Sequence, residues 1–128
     1  MPAARPDIHS EADIQTLIDA FYARVNQDPL LAPVFNDVAR TDWPAHLPRM
    51  YAFWSSLLLG TARYQGQPFA KHRPLPIAGP HFERWLALFT ATVDAHFAGP
   101  VAELAKQRAA SIGAVFEARM RPGTLSLL

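Results

Sequence analysis

The side chains best suited to chemistry are histidines and polar-tipped aromatics set on or beside apolar helix faces. Phe21-Tyr22, Phe35, Trp43 with His46, Phe53-Trp54, Lys71-His72, His81-Phe82-Glu83-Arg84-Trp85 and Phe89 follow one another along the chain. Tyrosine and tryptophan carry a donor that needs a partner when buried, so Leu, Ile and Val would make a simpler core. Tyr22, Trp54 and Trp85 on such faces suit a wide, flat, apolar group with a small polar centre. The histidines His9, His46, His72, His81 and His96 narrow the chemistry further. No two have the four-residue spacing that puts two ligands on one helical face, and HExxH is absent, which argues against a self-contained zinc site. The chain has no cysteine, so disulfides, thiolate catalysis and Cys-based zinc or iron–sulfur sites are excluded. There is no Gly-x-Ser-x-Gly elbow and no phosphate loop. The helical acidic residues are scattered, with no evident acid–base pair. Haem needs only one axial histidine from the protein, and that is the metal chemistry left open.

Each residue has a plain reading beside the functional one. His72 sits in an irregular segment with Phe69 and Lys71 before it and Leu75-Pro76-Ile77 after it. Apolar neighbours suit a neutral imidazole held against a macrocycle; the alternative is a surface histidine in a proline-rich loop. His46 stands near the start of a helix, four residues before Met50. Pro48 lacks a donor and disfavours helical geometry at the residue before it, so a loose first turn is expected, leaving His46 free to swing. Otherwise it is a solvated cap-region histidine. Tyr22 falls at the edge of an apolar stripe, its hydroxyl turned to solvent or into a pocket. Core packing explains Trp54 and Trp85 about as well as ligand contact does.

The elements that must position these residues are helices. Ser10 is a plausible N-cap with Glu11 and Asp13 in the first turn, and Ile14, Leu17, Ile18, Phe21 and Val25 recur at helical spacing. Asn26-Gln27-Asp28-Pro29 ends that helix and starts a short one over 30–35, with Asp28 as cap and Pro29 at the first position. Asn36 to Thr41 reads as a loop. Asp42 can cap a second long helix carrying Leu47, Met50, Phe53, Trp54, Leu57 and Leu58, which stops at Gly60. Residues 61–80 are irregular, with glycines at 66 and 79 and prolines at 68, 74, 76 and 80. A third long helix is expected over about 81–97, with Phe82, Trp85, Leu86, Phe89 and Val93 inside. After Gly99-Pro100 a fourth runs from Val101 to about Met120, with Leu104, Ala105, Ile112 and Phe116 inside. No segment alternates with a period of two. The fold class is all-α, one domain over 1–128, with 1–10 and 122–128 as frayed tails.

Composition sets the remaining bounds. With 128 residues, half of them hydrophobic and 18% charged, the chain can bury one sizeable core. A net charge of +1 without basic blocks gives no support to nucleic-acid or membrane-surface binding. No apolar run reaches the length of a membrane span, and the first residues lack the apolar core of a leader. A soluble, cytoplasmic protein is the expectation.

Taken together these segments resemble the truncated haemoglobins, and within them the third group. The resemblance spans about Ile14 to Phe116. It rests on Phe21-Tyr22, Leu31-Ala32-Pro33-Val34-Phe35, Asp42-Trp43 with His46, Phe53-Trp54 through Leu57-Leu58-Leu59-Gly60, Tyr64-Gln65-Gly66-Gln67-Pro68, Lys71-His72, and His81 through Phe89. The order and spacing of these runs are specific; any one alone is not. The glycine pairs that mark the first two groups are missing, as in the third. The resemblance implies a globin-like, two-over-two helical sandwich around haem b. By position it makes His72 the proximal iron ligand, Tyr22 and Trp85 distal donors, and His46 the distal-helix histidine at the entry, with Met50 one turn on. It places Phe35 against the porphyrin and Phe53 and Trp54 in the pocket wall, with Arg49, Tyr64 and Lys71 as positional choices for the propionates.

Two donors facing one small ligand favour tight retention over delivery, because a hydrogen bond to a charged acceptor is worth roughly 1.5–3 kcal/mol. The leading expectation is therefore a haem protein that binds O₂, NO or CO at ferrous iron. The alternatives are a haem enzyme, such as an NO dioxygenase or a peroxidase-like activity, served by an external reductase, and a haem-free helical interaction domain.

Overall fold

A capping box starts the first helix, α1 (Glu11–Val25): the Ser10 hydroxyl accepts from the Asp13 N–H and the Asp13 carboxylate accepts from the Ser10 N–H. The computed structural model describes residues 5–38, 40–62 and 79–120. Three further long helices follow: α2 (Trp43–Leu59), α3 (Gly79–His96) and α4 (Pro100–Met120). No strand occurs among the described residues. α1 packs on α2, α3 on α4, and α1 also crosses onto α3. This is the two-over-two arrangement. None of the described helices is long and apolar enough to cross a membrane.

The expected α1 stripe is the core's spine: Ile14, Leu17, Ile18, Phe21, Tyr22 and Val25 are all buried. Phe21 meets Phe89 of α3 edge-on at 5.2 Å between ring centroids, and Trp54 of α2 stacks on the same Phe89 at 4.7 Å. Three helices thus share one aromatic junction. Two polar contacts reinforce α1 on α2, from Tyr51 to Asp19 and from Ser55 to Glu11. Gly60 ends α2 with φ 69°, the left-handed conformation that glycine adopts at helix ends.

On α4, Ala105 is buried as expected, together with Ala102, Ala109 and Gly113, while Leu104 and Ile112, expected inside, are half-buried; the Phe116 side chain lies outside the described ones. The alanines recur at steps of three and four, the spacing of one helix face. On α3, Phe82, Phe89 and Val93 are buried as expected, while Trp85 and Leu86 are half-buried.

The expectation of a frayed tail over 1–10 fails from Pro6 onward. Ile8 is 1% exposed, the Pro6 carbonyl accepts from the Ala98 N–H, and Asp7 accepts from the Val101 and Ala102 N–H groups. Asp7 therefore caps α4 from far away in sequence. Gly99 makes room for it, since a Cβ there would lie 2.6 Å from the Asp7 carboxyl carbon.

Candidate functional site

The spacing of α2 builds two apolar lines side by side. Leu47, Tyr51, Trp54 and Leu58 recur at steps of four, three and four, and in this line Trp54 and Leu58 are buried while Leu47 and Tyr51 are half-buried. His46, Met50, Phe53 and Leu57 repeat the same steps one residue earlier, and all four are half-buried. Trp85 and Leu86 of α3 are half-buried as well. A second, half-buried apolar ridge beside the core is a surface suited to a flat apolar partner.

Polar chemistry lies at one end of this ridge. The Tyr22 hydroxyl is 3.3 Å from His46 Nε2, bridging α1 and α2. Tyr22 is 7% exposed, and burial pushes its phenol well above the ordinary tyrosine value, so it remains a protonated donor at neutral pH. Its ring is surrounded by Phe21 (4.9 Å), Trp43 (5.2 Å), His46 (5.3 Å) and Phe35 (6.0 Å). The edge-of-stripe position is thereby settled in favour of burial.

The chain between α1 and α2 brings Phe35 there. Asp28 caps the segment as expected, one carboxylate oxygen accepting from the Leu30 and Leu31 N–H groups at 3.1 and 3.0 Å. Its other oxygen accepts from Arg84 Nε of α3. Burial pushes this carboxyl up, but the Arg84 hydrogen bond and the two backbone donors outweigh that and hold it below the ordinary carboxylate range. The expected loop after Phe35 is instead a π-helical turn over Val34–Val38. The Phe35 carbonyl accepts from both the N–H and the hydroxyl of Thr41, which turns the chain into α2.

The loosening expected at the start of α2 is not seen at His46. Both the Ala45 and His46 N–H groups donate to the Asp42 carbonyl, at 3.1 and 2.8 Å. Pro48 has no N–H to offer the turn, yet the helix continues through it. Asp42 stands at the N-cap position without a side-chain cap bond.

The other site residues fall as follows. Trp85 stacks parallel to Phe89 at 5.9 Å and edge-on to Phe21 at 5.8 Å. Its Cε3–Cζ3 edge faces Gly113 of α4, where a Cβ would meet it at 3.7 Å, so Nε1 lies on the opposite edge. Trp54 belongs to the inner line and stacks in the core. Arg49 is exposed on α2. Tyr64, Lys71 and His72 lie outside the described residues.

Trp43 is the member that sequence reasoning missed. It was visible in the run Asp42-Trp43, yet no role followed from periodicity, because it precedes the apolar repeat. Its ring contacts Tyr22, stacks on Phe35 at 5.9 Å and meets His46 edge-on at 5.5 Å.

The residues present fit haem by their chemistry: a half-buried apolar ridge, a phenylalanine presented from a tight turn, and a buried hydroxyl and imidazole at one end. No group of three or more His, Asp or Glu side chains suited to a bare metal ion occurs among the described residues.

Comparison with known proteins agrees with this arrangement. A family model described as bacterial-like globin matches residues 7–116. A group 3 truncated haemoglobin of Campylobacter jejuni is 33% identical over 112 residues, covering 84% of this chain and 88% of that protein. A group 1 truncated haemoglobin of Nostoc commune is 33% identical over 78 residues, 60% of this chain and 64% of its own length. Among solved structures, the group III truncated haemoglobin from Campylobacter jejuni superposes with a TM-score of 0.81 at 30% identity, covering 92% of this chain and 96% of that one. The truncated oxygen-avid haemoglobin from Bacillus subtilis gives 0.73 at 26% identity, covering 84% and 92%.

Proposed function

The chain belongs to the truncated haemoglobin family, in its third group, and on that premise we propose that it holds haem b and binds a small diatomic ligand such as O₂, retaining it tightly. When bound, haem would supply the iron that takes up such a ligand. His72 would hold the iron on the proximal side, a role carried by the family resemblance. Phe35, Met50 and Phe53 would line the macrocycle, and Arg49, Tyr64 and Lys71 are the cations and hydroxyl proposed for its propionates. The composition favours a cytoplasmic protein.

The observation that carries the reading is the Tyr22 hydroxyl: buried, protonated and 3.3 Å from His46, at the end of the half-buried ridge. A donor held in a low-dielectric pocket stabilises a ligand that gains negative charge on binding more than water does. It needs no reorganisation to do so. Trp85 offers a second donor from α3. Strong polar retention suits sequestration, sensing or chemistry on the ligand better than delivery. The Bacillus subtilis relative, described as oxygen-avid, is consistent with that direction.

The test is direct. Purified protein is expected to show a Soret band at one haem per chain and an O₂ dissociation rate that rises when the Tyr22 hydroxyl is removed. A chain that takes up no haem in stoichiometric amount would sink the reading.

A further inference from the structure

We propose that Trp43 is a positioning residue that holds His46 against the Tyr22 hydroxyl, and that Asn36 and Asn26 anchor it. The inference rests on the haem-pocket reading insofar as Tyr22 and His46 are taken to face the ligand.

A chain of amides ties together the three elements that carry the site. Trp43 Nε1–H at the start of α2 donates to Asn36 Oδ1 at 2.8 Å. Asn36, in the π-helical turn, donates through Nδ2 to Asn26 Oδ1 at 2.8 Å, and Asn26 is the C-cap of α1. The indole so fixed touches one site residue from each element: Tyr22 of α1, Phe35 of the turn and His46 of α2. With the Tyr22 hydroxyl on one side and the Trp43 ring edge-on at 5.5 Å on another, the imidazole is confined. Turning His46 outward must break the Tyr22 contact and slide past a ring that is itself tethered. Burial alone does not require this tether, because a phenylalanine at position 43 would keep most of the apolar contact. What tryptophan adds is an N–H at the far edge of the ring, and that N–H is the atom Asn36 receives. Preorganising a side chain in this way lowers the population of its outward form without any new contact to the ligand.

The experiment uses the full chain and four proteins: wild type, Asn36→Leu, Trp43→Phe and Asn36→Asp. The first two variants remove the anchor while keeping a ring at position 43; the third retains an acceptor for the indole, and the Asn26 amide can turn its NH₂ to donate to the new carboxylate. Two readouts are taken. One is the nuclear Overhauser contact between the His46 ring and the Tyr22 ring protons. The other is the bimolecular CO rebinding rate after flash photolysis, with haem per chain determined in the same samples. Asn36→Leu and Trp43→Phe are expected to weaken the His46–Tyr22 contact and to speed rebinding by roughly threefold or more, as a shift toward an open form would. Asn36→Asp is expected to stay near wild type in both. Wild-type contact and rates in both anchor-free variants would overturn the proposal, as would an Asn36→Asp protein that behaves like Asn36→Leu. Failure of the wild-type chain to take up haem would instead overturn the functional reading, and the ring-to-ring contact would still decide the clamp.

Discussion

The Tyr22 hydroxyl stands 3.3 Å from Nε2 of His46, across the gap between α1 and α2. A phenol carries one proton, so the imidazole tautomer decides whether that proton goes to His46 or is left for a ligand. Tyr22→Phe is expected to raise O₂ dissociation at least about tenfold, since one hydrogen bond to a charged acceptor is worth about 1.5–3 kcal/mol. Combining it with His46→Ala should depart from additivity by about 0.5 kcal/mol or more, because the two groups share one proton. Stopped-flow displacement of O₂ by CO on the four proteins measures both effects. Strict additivity would mean the contact is idle.

Trp85→Phe should act in the same direction. The Trp85 edge that meets α4 is the one opposite Nε1, so the indole N–H is directed away from that packing contact. The ring stack on Phe89 survives the substitution and the donor does not. A rise in O₂ dissociation with an unchanged melting temperature is the expected pair of results. An unchanged rate would remove Trp85 from the polar pocket.

His72→Ala is expected to abolish stoichiometric haem uptake or to leave haem readily lost to apomyoglobin. This position lies outside the described residues, and its role is proposed from the family resemblance. A variant that keeps one haem per chain and the wild-type ferrous spectrum would move the axial ligand elsewhere.

For His46, neutral imidazole can accept from Tyr22, whereas the protonated ring favours hydration and an outward pose. CO association should therefore speed up as pH falls across about 8 to 5. His46→Ala should flatten that dependence and leave haem retention nearly unchanged, because Met50 and Phe53 still line the ridge. Flash photolysis across the range decides it; a flat wild-type profile would make His46 an inert wall.

Asp7 links acid stability to the N-terminal segment. Partial desolvation pushes its carboxyl up, but the Val101, Ala102 and Ile8 N–H donors outweigh it and hold it below the ordinary value of 3.8. A carboxyl lowered in the folded state contributes stability that is present above its unfolded pKa and lost as pH falls through the folded one. Asp7→Ala should cost about 1–2 kcal/mol at neutral pH, the range for a lost helix cap. The gap to wild type should narrow as pH falls below the ordinary carboxylate value and close once the folded carboxyl, held lower, is protonated as well. Thermal melts at neutral and acid pH read it. A loss of equal size at both would assign the effect to packing rather than to the charged cap.

Local patterning determined much of this protein. The capping box at Ser10, the α1 stripe, Gly60 as a stop and the break at Gly99-Pro100 all follow from interactions within a few residues, which are the interactions a sequence displays. The order of the aromatic and histidine runs carried the family. What only the tertiary structure decided is which side chains meet. Asp7 caps a helix 94 residues away at its Val101 N–H, Asp28 receives Arg84, and Asn26, Asn36 and Trp43 form one chain between three elements. No periodicity encodes these pairs, because each depends on how two separately formed helices pack. The same holds for α4, where Ala102 and Ala109 are buried while the larger Leu104 and Ile112 are only half-buried. Tyr22 shows the boundary between the two levels: spacing placed it at the edge of a stripe, and the packing of α2 and the π-helical turn over that edge made it a buried donor.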